Sequence, residues 1–299
     1  MLNMEQMGIK KTMCLSDGRE VVYRTSFKEN RPPRETPLIV LNNGLVCGNA
    51  WWYYTIKLFD SIGVPYLLHE YRGHFDGNYV ADKQKVNLQQ FSQDLEEILD
   101  GIDADKVVMV GHSMGVNVTL HYLFARPERV LAMALISGTP IAPGDYLFNF
   151  KYAKHLLPLL FIDNPIKDSI CNKLWQTSRY NPLAVKLVHI LGTDPERVPA
   201  KIIKWYMRDL ASIDFRVFVQ LVREMENFNV IQELQTVKIP SLVIGGTKDP
   251  LCPLPLQKML HENLKGSEFL VIPGSRHVPQ IDNPELVNGR ILSLMKRVS

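Results

Sequence analysis

Three residues of this chain are of the types that carry out nucleophilic catalysis: Ser113 in the pentapeptide GHSMG, Asp249 in GGTKDPLCP and His277 in GSRHVPQIDNPELV. A serine hydroxyl is a weak nucleophile at neutral pH, so it needs a base beside it, and the base needs an acid to orient it. A Gly-x-Ser-x-Gly by itself arises by chance in roughly one chain in ten of this length. Whether the three residues can meet therefore depends on the strands and helices that carry them.

Each candidate follows a short apolar stretch that is typical of a buried strand. KVVMVG ends just before Ser113, and the residues after the serine have the character of a helix. Gly111 and Gly115 leave room for a sharp strand–turn–helix that would lift the serine Oγ above the sheet edge. Asp249 comes three residues after SLVIGG, and His277 comes three residues after FLVIPG. In such a sheet, functional residues are expected in loops at the carboxyl ends of the strands, so the three can share one site.

Short buried strands alternate with amphipathic helices over most of the chain. This pattern predicts an α/β fold with a mostly parallel central sheet and helices on both faces. One helix is marked by apolar residues at three- and four-residue spacing, beginning with Leu88, Phe91 and Leu95. Near the start of the chain, GIKKTMCL and REVVYRTSF flank the turn dipeptide Asp17-Gly18, which predicts a hairpin.

The alternation of strands and helices breaks in the middle of the chain. Residues 141–234 are helical in pattern and rich in aromatic side chains, with no convincing strand. We therefore expect one α/β core domain made of residues 1–140 and 235–299. Residues 141–234 would be inserted into it as a helical cap or lid.

The three motifs GHSMG, GGTKDPLCP and GSRHVPQIDNPELV occur in order, each after a strand, and this chain thereby resembles the α/β-hydrolase superfamily. The resemblance covers nearly the whole chain apart from the insertion. It implies that Ser113 attacks an acyl carbonyl, that His277 moves the proton and that Asp249 orients the histidine. It also implies an oxyanion hole made by the backbone amides of Leu45 and Met114.

Two departures from the family pattern fall near the expected oxyanion hole. LNNGLVCG places Asn43 where the family has histidine, and EYRGHFDG only loosely matches the loop that normally supports the oxyanion loop. Asp145 is the alternative acid, because some relatives carry the acid one strand earlier. By analogy with capped relatives, the insertion would roof an acyl pocket. The residues expected to line this pocket are Gly44, Trp51, His112, Phe148 and Trp175.

Composition argues against several other classes of protein. The formal net charge is only +3 over 299 residues, and no dense Lys/Arg stripe interleaves with aromatic residues, so no nucleic-acid partner is expected. No apolar run reaches the roughly 18 residues of a membrane span, and MLNMEQMGIKKTM lacks the apolar stretch of a signal peptide. We expect a cytoplasmic protein with reduced cysteines. Weak contact with a lipid interface is considered for YAKHLLPLLF, where leucines stand beside Lys151 and Lys154.

No metal and no cofactor are expected. HEYRGH holds His69 and His74 five residues apart with Gly73 before the second, whereas a zinc-protease signature needs two histidines four apart on one helix face. The chain contains no P-loop and no GxGxxG fingerprint for a nucleotide.

The function expected from these observations is a serine hydrolase of the esterase or lipase-like kind. It would cleave small-molecule carboxylic esters with lipophilic or medium-sized acyl groups through an acyl-enzyme intermediate. The same three residues also serve acyltransferases, thioesterases and carbon–carbon bond hydrolases, which remain alternatives. A cofactor-free haloperoxidase and a non-catalytic ligand-binding module are further alternatives.

Overall fold

An eight-stranded sheet runs through the computed structural model, which describes residues 7–75, 85–144 and 158–299. The strand order is β1-β2-β4-β3-β5-β6-β7-β8. The strands are β1 Ile9–Cys14, β2 Glu20–Thr25, β3 Leu38–Asn42, β4 Tyr66–His69, β5 Val107–His112, β6 Val130–Ile136, β7 Ser241–Gly246 and β8 Glu268–Ile272. β1 pairs antiparallel with β2, and β2 with β4, while every other pairing is parallel. The predicted hairpin and the mostly parallel sheet are therefore confirmed.

The burial of the strands follows their position in the sheet. Every residue of β3, β5 and β7 is buried, as continuous apolar strands in a covered parallel sheet should be. The edge strand β1 instead alternates between half-buried and exposed residues. The hairpin that joins β1 to β2 turns at Gly18, whose φ of 81° lies in the left-handed region that glycine enters without strain.

Helices cover both faces of the sheet. The α-helices are α1 Tyr53–Ile62, α2 Leu88–Gly101, α3 Met114–Ala125, α4 Pro165–Thr177, α5 Pro182–Gly192, α6 Ala200–Ser212, α7 Phe215–Glu226, α8 Ile231–Leu234, α9 Leu254–Asn263, α10 Pro279–Asp282 and α11 Pro284–Met295. α2 packs against α3, which lies on β3, β5 and β6, while α1 packs against α11, which lies on β6 and β7. Among the described residues, no helix has the length and apolar character needed to cross a membrane.

The chain between β6 and β7 is described in 137–144 and 158–240, and its regular elements there are helices. It contains α4 to α8, here called the β6–β7 helices, and only an isolated bridge between Ile141 and Asn229. Ile202 and Met207 in α6 and Leu221 in α7 are buried in the same apolar core as the sheet. The prediction that this segment carries no strand holds for the described residues, and its boundaries as a separate cap stay a prediction.

A buried ion pair anchors the start of the loop after β4, whose sequence departs from the family pattern. Arg72 donates two hydrogen bonds to the Asp94 carboxylate in α2, 2.7 Å from Nε and 2.6 Å from Nη2. Arg19 reaches the same carboxylate at 2.9 Å. The neighbouring Tyr71 stacks on Phe91 with ring centroids 4.4 Å apart. Side chains of α2 therefore hold Tyr71 and Arg72 in place.

Two histidines near this loop are buried without a carboxylate partner in the described hydrogen bonds. His69 Nε2–H donates to Asn42 Oδ1 at 3.2 Å, and His74 Nδ1–H donates to the Arg72 carbonyl at 3.1 Å. Burial lowers the pKa of His69 from 6.5 to about 3 and the pKa of His74 to about 4. Both side chains are therefore neutral in the folded protein above about pH 4.

We predict that acid destabilises the protein in part through His69. The unfolded chain binds a proton at this residue below pH 6.5, whereas the folded chain stays neutral until about pH 3. The unfolded state therefore binds more protons in this window. The free energy of unfolding should fall by about 1.4 kcal/mol per pH unit for each such group as the pH drops.

The variant His69→Gln isolates this effect, because its side-chain amide can still donate to Asn42. Urea unfolding of the parent and the variant should give a constant difference in unfolding free energy above about pH 7.5. That difference should shift in favour of the variant by about 2–3 kcal/mol at about pH 4.5. A difference that does not change with pH would contradict the prediction.

Candidate active site

Ser113 occupies the turn between β5 and α3 with unusual backbone angles, φ 56° and ψ −123°. Its amide donates to the Ile136 carbonyl at 2.9 Å, which ties the turn to β6. A Cβ on Gly115 would lie 2.2 Å from the Asn42 carbonyl oxygen, and a Cβ on Gly111 would lie 2.4 Å from that of Gly115. Both approaches are to rigid backbone, so this turn excludes any side chain at either glycine. Glycine is needed at both positions, as expected from the sequence, because the turn leaves no room for a side chain.

Ser113, His277 and Asp249 meet at the carboxyl end of the sheet. The Ser113 hydroxyl donates to His277 Nε2 at 2.9 Å, and His277 Nδ1–H donates to the Asp249 carboxylate at 2.9 Å from Oδ2 and 3.0 Å from Oδ1. The two ring nitrogens of the histidine thus have different partners, which selects one tautomer. Three residues separated by up to 164 positions in sequence form one line of hydrogen bonds.

The Asp249 carboxylate is fully buried and is held by several donors. Oδ1 accepts from the backbone amides of Leu251 and Cys252, both at 2.9 Å. Gln257 in α9 donates to Oδ2 at 3.4 Å. These donors orient the carboxylate towards the imidazole and compensate for its removal from water. Gln257 could not be recognised from the sequence, because one glutamine in a helix carries no recognisable signal.

The backbone of His277 is fixed from two sides. Its amide donates to the Gly192 carbonyl at the end of α5 at 2.9 Å, and its carbonyl accepts from His112 Nε2–H at 2.8 Å. Burial, and secondarily the nearby His277, lower the pKa of His112 from 6.5 to about 3. His112 is therefore neutral and donates to the backbone of His277, and its expected place as a pocket-lining residue stays a prediction.

The loop after β3 brings backbone close to Ser113. A Cβ on Gly44 would lie 3.2 Å from Ser113 Cβ and 3.3 Å from His112 Nδ1. The Cys47 amide donates to the Gly44 carbonyl at 3.3 Å, which closes a turn over Leu45 and Val46. Val46 has φ 47°, a strained value for a β-branched residue. This turn places Leu45 directly after the glycine that approaches the serine.

Asn43, which stands where the family pattern has histidine, holds this loop through its side chain and its backbone, and we call the loop the 43–49 loop. Its Oδ1 accepts from Trp52 Nε1 at 2.8 Å, and its Nδ2 donates to Asn49 Oδ1 at 3.1 Å. The Asn43 carbonyl accepts from Tyr71 OH at 3.0 Å, which links the 43–49 loop to the loop after β4. A side chain with both a donor and an acceptor is required for the first two contacts.

Asp209 of α6 lies against the same loop and was not anticipated from the sequence. Its Oδ2 would be only 2.3 Å from a Cβ on Gly48. Cys47 is buried nearby, and its thiol donates to the Leu45 carbonyl at 3.1 Å. Burial raises the pKa of Cys47 to about 12, with Asp209 acting in the same direction. The thiol therefore stays protonated and acts as a packed, hydrogen-bonded side chain.

The aromatic residues expected to line a pocket lie in different places. Trp51 packs against Tyr206 of α6, with ring centroids 4.8 Å apart, close to the 43–49 loop. Trp175 instead packs among the β6–β7 helices, 4.9 Å from Phe218, and its indole N–H donates to the Leu210 carbonyl at 2.8 Å. The pocket roles of Trp51 and Trp175 stay predictions. Phe148 lies outside the described residues, as does the alternative acid Asp145.

The described part of the chain contains no group of three or more His, Cys, Asp and Glu side chains that could hold a metal ion. His69 and His74 of HEYRGH use one ring nitrogen each to donate to protein oxygens, as described above. The geometry thus assigns structural contacts to both histidines of this motif.

Several known proteins are similar to this chain in sequence or in fold. A family model described as alpha/beta hydrolase fold matches residues 37–284. A probable esterase of Oryza sativa subsp. japonica is 24% identical over 260 residues, which span 84% of this chain and 88% of the relative. "Karrikin insensitive 2 receptor IA" of Petunia hybrida is 23% identical over 260 residues, spanning 83% and 86%. Among solved structures, the esterase EaEST from Exiguobacterium antarcticum superposes with a TM-score of 0.76 at 18% identity, over 96% of this chain and 100% of that one.

We predict that Gly115→Ala destabilises the fold by about 2–4 kcal/mol, because the added methyl group must displace the backbone of β3 or α3. The matched control is Gly289→Ala in α11, where a Cβ meets nothing within 4 Å. An alanine there should raise stability by up to about 1 kcal/mol through helix propensity. Urea unfolding measures both effects, and equal stabilities for the two variants would contradict the close approach at Gly115.

Proposed function

Because the chain belongs to the family with the alpha/beta hydrolase fold, we propose that it is a serine hydrolase that cleaves carboxylic esters through an acyl-enzyme. The observation that carries this proposal is the continuous line of hydrogen bonds from Asp249 through His277 to Ser113. A carboxylate that holds an imidazole against a hydroxyl is what activates a serine nucleophile.

In the first half of the reaction, Ser113 Oγ attacks the ester carbonyl carbon and His277 Nε2 takes the hydroxyl proton. The carbonyl oxygen becomes negatively charged in the tetrahedral intermediate. Collapse of the intermediate breaks the bond to the alcohol oxygen, which leaves with the proton from His277. The Asp249 carboxylate stabilises the imidazolium while it exists and keeps Nδ1 protonated throughout.

The negative oxygen would be held by the backbone amides of Met114 and Leu45. Met114 is the first residue of α3, so its amide has no partner within its own helix and lies at the positive end of the helix dipole. Leu45 lies in the turn that Gly44 brings against Ser113. Preorganised amides of this kind typically contribute about 10²–10³-fold each to the rate.

In the second half, a water molecule attacks the acyl-enzyme carbonyl. His277 Nε2 takes one proton from the water and returns it to Ser113 Oγ as the carboxylic acid leaves. The atoms of ester and water are thus divided between an acid and an alcohol, and the enzyme returns to its starting state. Neither half requires a cofactor.

The substrate class proposed is an ester with a lipophilic or medium-sized acyl group. Residues 141–234 would act as a cap whose inner side is apolar. Supporting this, α6 packs on the residues that follow the 43–49 loop. Its Tyr206 lies 4.8 Å from Trp51, and its Trp205 lies 5.7 Å from Tyr53, between ring centroids. Aromatic side chains close to the 43–49 loop would favour acyl chains over polar substituents.

The names of the relatives support two readings. One relative is named a probable esterase and another a receptor. A receptor can dispense with the full set of catalytic groups, whereas here all three side chains are present and in hydrogen-bond contact. This contact is why hydrolysis is the function proposed, with ligand binding without turnover as the alternative.

We predict that a fluorophosphonate labels Ser113 covalently, because the hydrogen-bonded imidazole makes this hydroxyl nucleophilic. Intact mass and peptide mapping locate the label. Ser113→Ala and His277→Ala should abolish or greatly slow labelling, while Ser293→Ala, which removes an exposed hydroxyl in α11, should leave it unchanged. A folded parent that is not labelled would contradict the proposed enzyme and favour the ligand-binding reading.

We predict that Asp249→Asn lowers kcat by about 10⁴-fold. The Leu251 and Cys252 amides donate to Oδ1 and would retain the asparagine oxygen there, so the NH₂ group would face His277 Nδ1. Nδ1 would then accept a hydrogen bond, and Nε2 would carry the proton and could no longer accept one from Ser113. Steady-state hydrolysis of p-nitrophenyl esters measures kcat, and a loss below about tenfold would show that another group serves as the acid.

The same assay, with acyl chains from acetate to decanoate, tests the substrate class. A higher kcat/KM for hexanoate and octanoate than for acetate is expected, because the longer chains bury more apolar surface. Product analysis separates the alternatives. Transfer to an added alcohol or thiol in preference to water would indicate an acyltransferase, and peroxide-dependent bromination would indicate a haloperoxidase.

A further inference from the structure

Large apolar side chains are exposed on one part of the molecule to an unusual degree. The described residues leave eleven such side chains exposed, and nine of them lie between residues 159 and 190. Three of these, Ile166, Tyr180 and Leu183, are 73%, 76% and 74% accessible. Apolar residues scattered singly need no explanation, but a concentration of this kind marks an interaction surface.

These side chains form faces on α4 and α5. Ile166, Ile170 and Leu174 follow each other at four-residue spacing on α4, and Leu183 and Leu187 do so on α5. We call these residues, with Tyr180 and Ile190, the α4–α5 apolar face. Residues at such spacing share one side of a helix.

The opposite sides of both helices already have apolar partners inside the protein. On α4, Trp175 packs against Phe215 and Phe218. On α5, Val185 and Val188 pack against the core. The α4–α5 apolar face is therefore additional to what folding of these helices requires, unlike the single apolar face of an ordinary surface helix.

Basic side chains stand within this face in a repeated arrangement. On α4, Lys173 lies between Ile170 and Leu174, and on α5, Lys186 occupies the same place between Leu183 and Leu187. Both lysines are exposed, and an exposed Arg179 lies over the Tyr180 ring at 4.7 Å. Long basic side chains that flank exposed leucines and isoleucines can extend to phosphate headgroups while the apolar side chains enter the lipid.

The acidic groups near this face are fewer. Residues 158–192 contain the basic residues Lys167, Lys173, Arg179 and Lys186, against the acidic residues Asp163 and Asp168. Asp168 is half-buried and lies 3.6 Å from Lys167, so these two charges compensate each other. The remaining exposed charge is mainly positive, which complements an anionic surface and opposes a second copy of the same face.

We propose that the α4–α5 apolar face docks the protein onto the surface of an anionic lipid bilayer. The apolar side chains enter the interface, and Lys173, Arg179 and Lys186 contact the headgroups. Docking does not depend on the chemistry at Ser113. Where the proposed esterase function also holds, the bilayer supplies the lipophilic ester, and this part of the inference rests on that function.

The face adjoins the candidate active site. The Ile190 carbonyl at the end of α5 accepts from Arg276 Nη2 at 2.7 Å, and the Gly192 carbonyl accepts from the His277 amide at 2.9 Å. The last turn of α5 thus connects the exposed leucines directly to the residues around the base.

Flotation of the full-length protein with vesicles tests the proposal. Vesicles of phosphatidylcholine alone are compared with vesicles in which about 30% of the lipid is phosphatidylglycerol. We expect binding to the anionic vesicles that is at least about tenfold stronger, because the basic side chains of the face are attracted to the anionic headgroups. Binding should weaken as NaCl is raised from about 0.1 to 0.5 M.

Two double variants separate the apolar and the charged contributions. Leu183→Gln with Leu187→Gln removes apolar area without changing charge, and Lys173→Glu with Lys186→Glu reverses charge. Each should lower binding to anionic vesicles at least about tenfold. The matched control, Ile62→Gln with Leu286→Gln, alters the two exposed apolar side chains that lie elsewhere in the described residues and should bind as the parent does. Circular dichroism and thermal unfolding confirm that each variant is folded.

Three results would overturn the proposal. The parent could fail to bind either kind of vesicle, or the control variant could lose as much binding as the leucine variant. Alternatively, sedimentation could show a dimer that the leucine variant converts to monomer with vesicle binding unchanged, which would assign the face to a second copy. Ser113→Ala should bind vesicles as the parent does, so a failure of the esterase proposal would be visible separately.

Discussion

The close approach of α3 to the end of β3 is the constraint on which the candidate site depends. A side chain at Gly115 would overlap the Asn42 carbonyl, and one at Gly111 would overlap that of Gly115. Because these two positions carry no side chain, Ser113 can hold a φ of 56° between strand and helix. The same contact brings Gly44 against the serine. The turn therefore sets the position of the hydroxyl and also the distance to the amides of the 43–49 loop.

The polar groups of the site are held by donors and acceptors from distant parts of the chain. Backbone amides and Gln257 fix the Asp249 carboxylate. His112 and the end of α5 fix the backbone of His277. A buried carboxylate and imidazole would be costly without these contacts. Their orientation is therefore set by the folded protein itself, which is the preorganisation that the proposed hydrolysis requires.

The β6–β7 helices present different surfaces on their two sides. Towards the core, α6 places Tyr206 and Trp205 against aromatic side chains around the 43–49 loop, and Asp209 lies against Gly48. Outwards, α4 and α5 expose isoleucines and leucines with lysines among them. The inner surface stabilises the loop beside the serine. The outer surface is not part of the core, so its apolar side chains are accessible to a lipid surface.

The sequence by itself determined the class of fold and the three residues of the candidate triad. Strand and helix patterns are local, and the carboxyl ends of parallel strands share one edge, so motifs after β5, β7 and β8 were expected to meet there. The tertiary structure alone decided the contacts of Asn43, Gln257, Asp209 and the outward face of α4 and α5. Each depends on side chains that are far apart in sequence and become neighbours only through packing. A single Gln or Asp in a helix forms no sequence pattern from which its partner could be predicted. Likewise, the sequence of a helix with apolar residues on two sides does not show which side packs against the protein and which side is exposed.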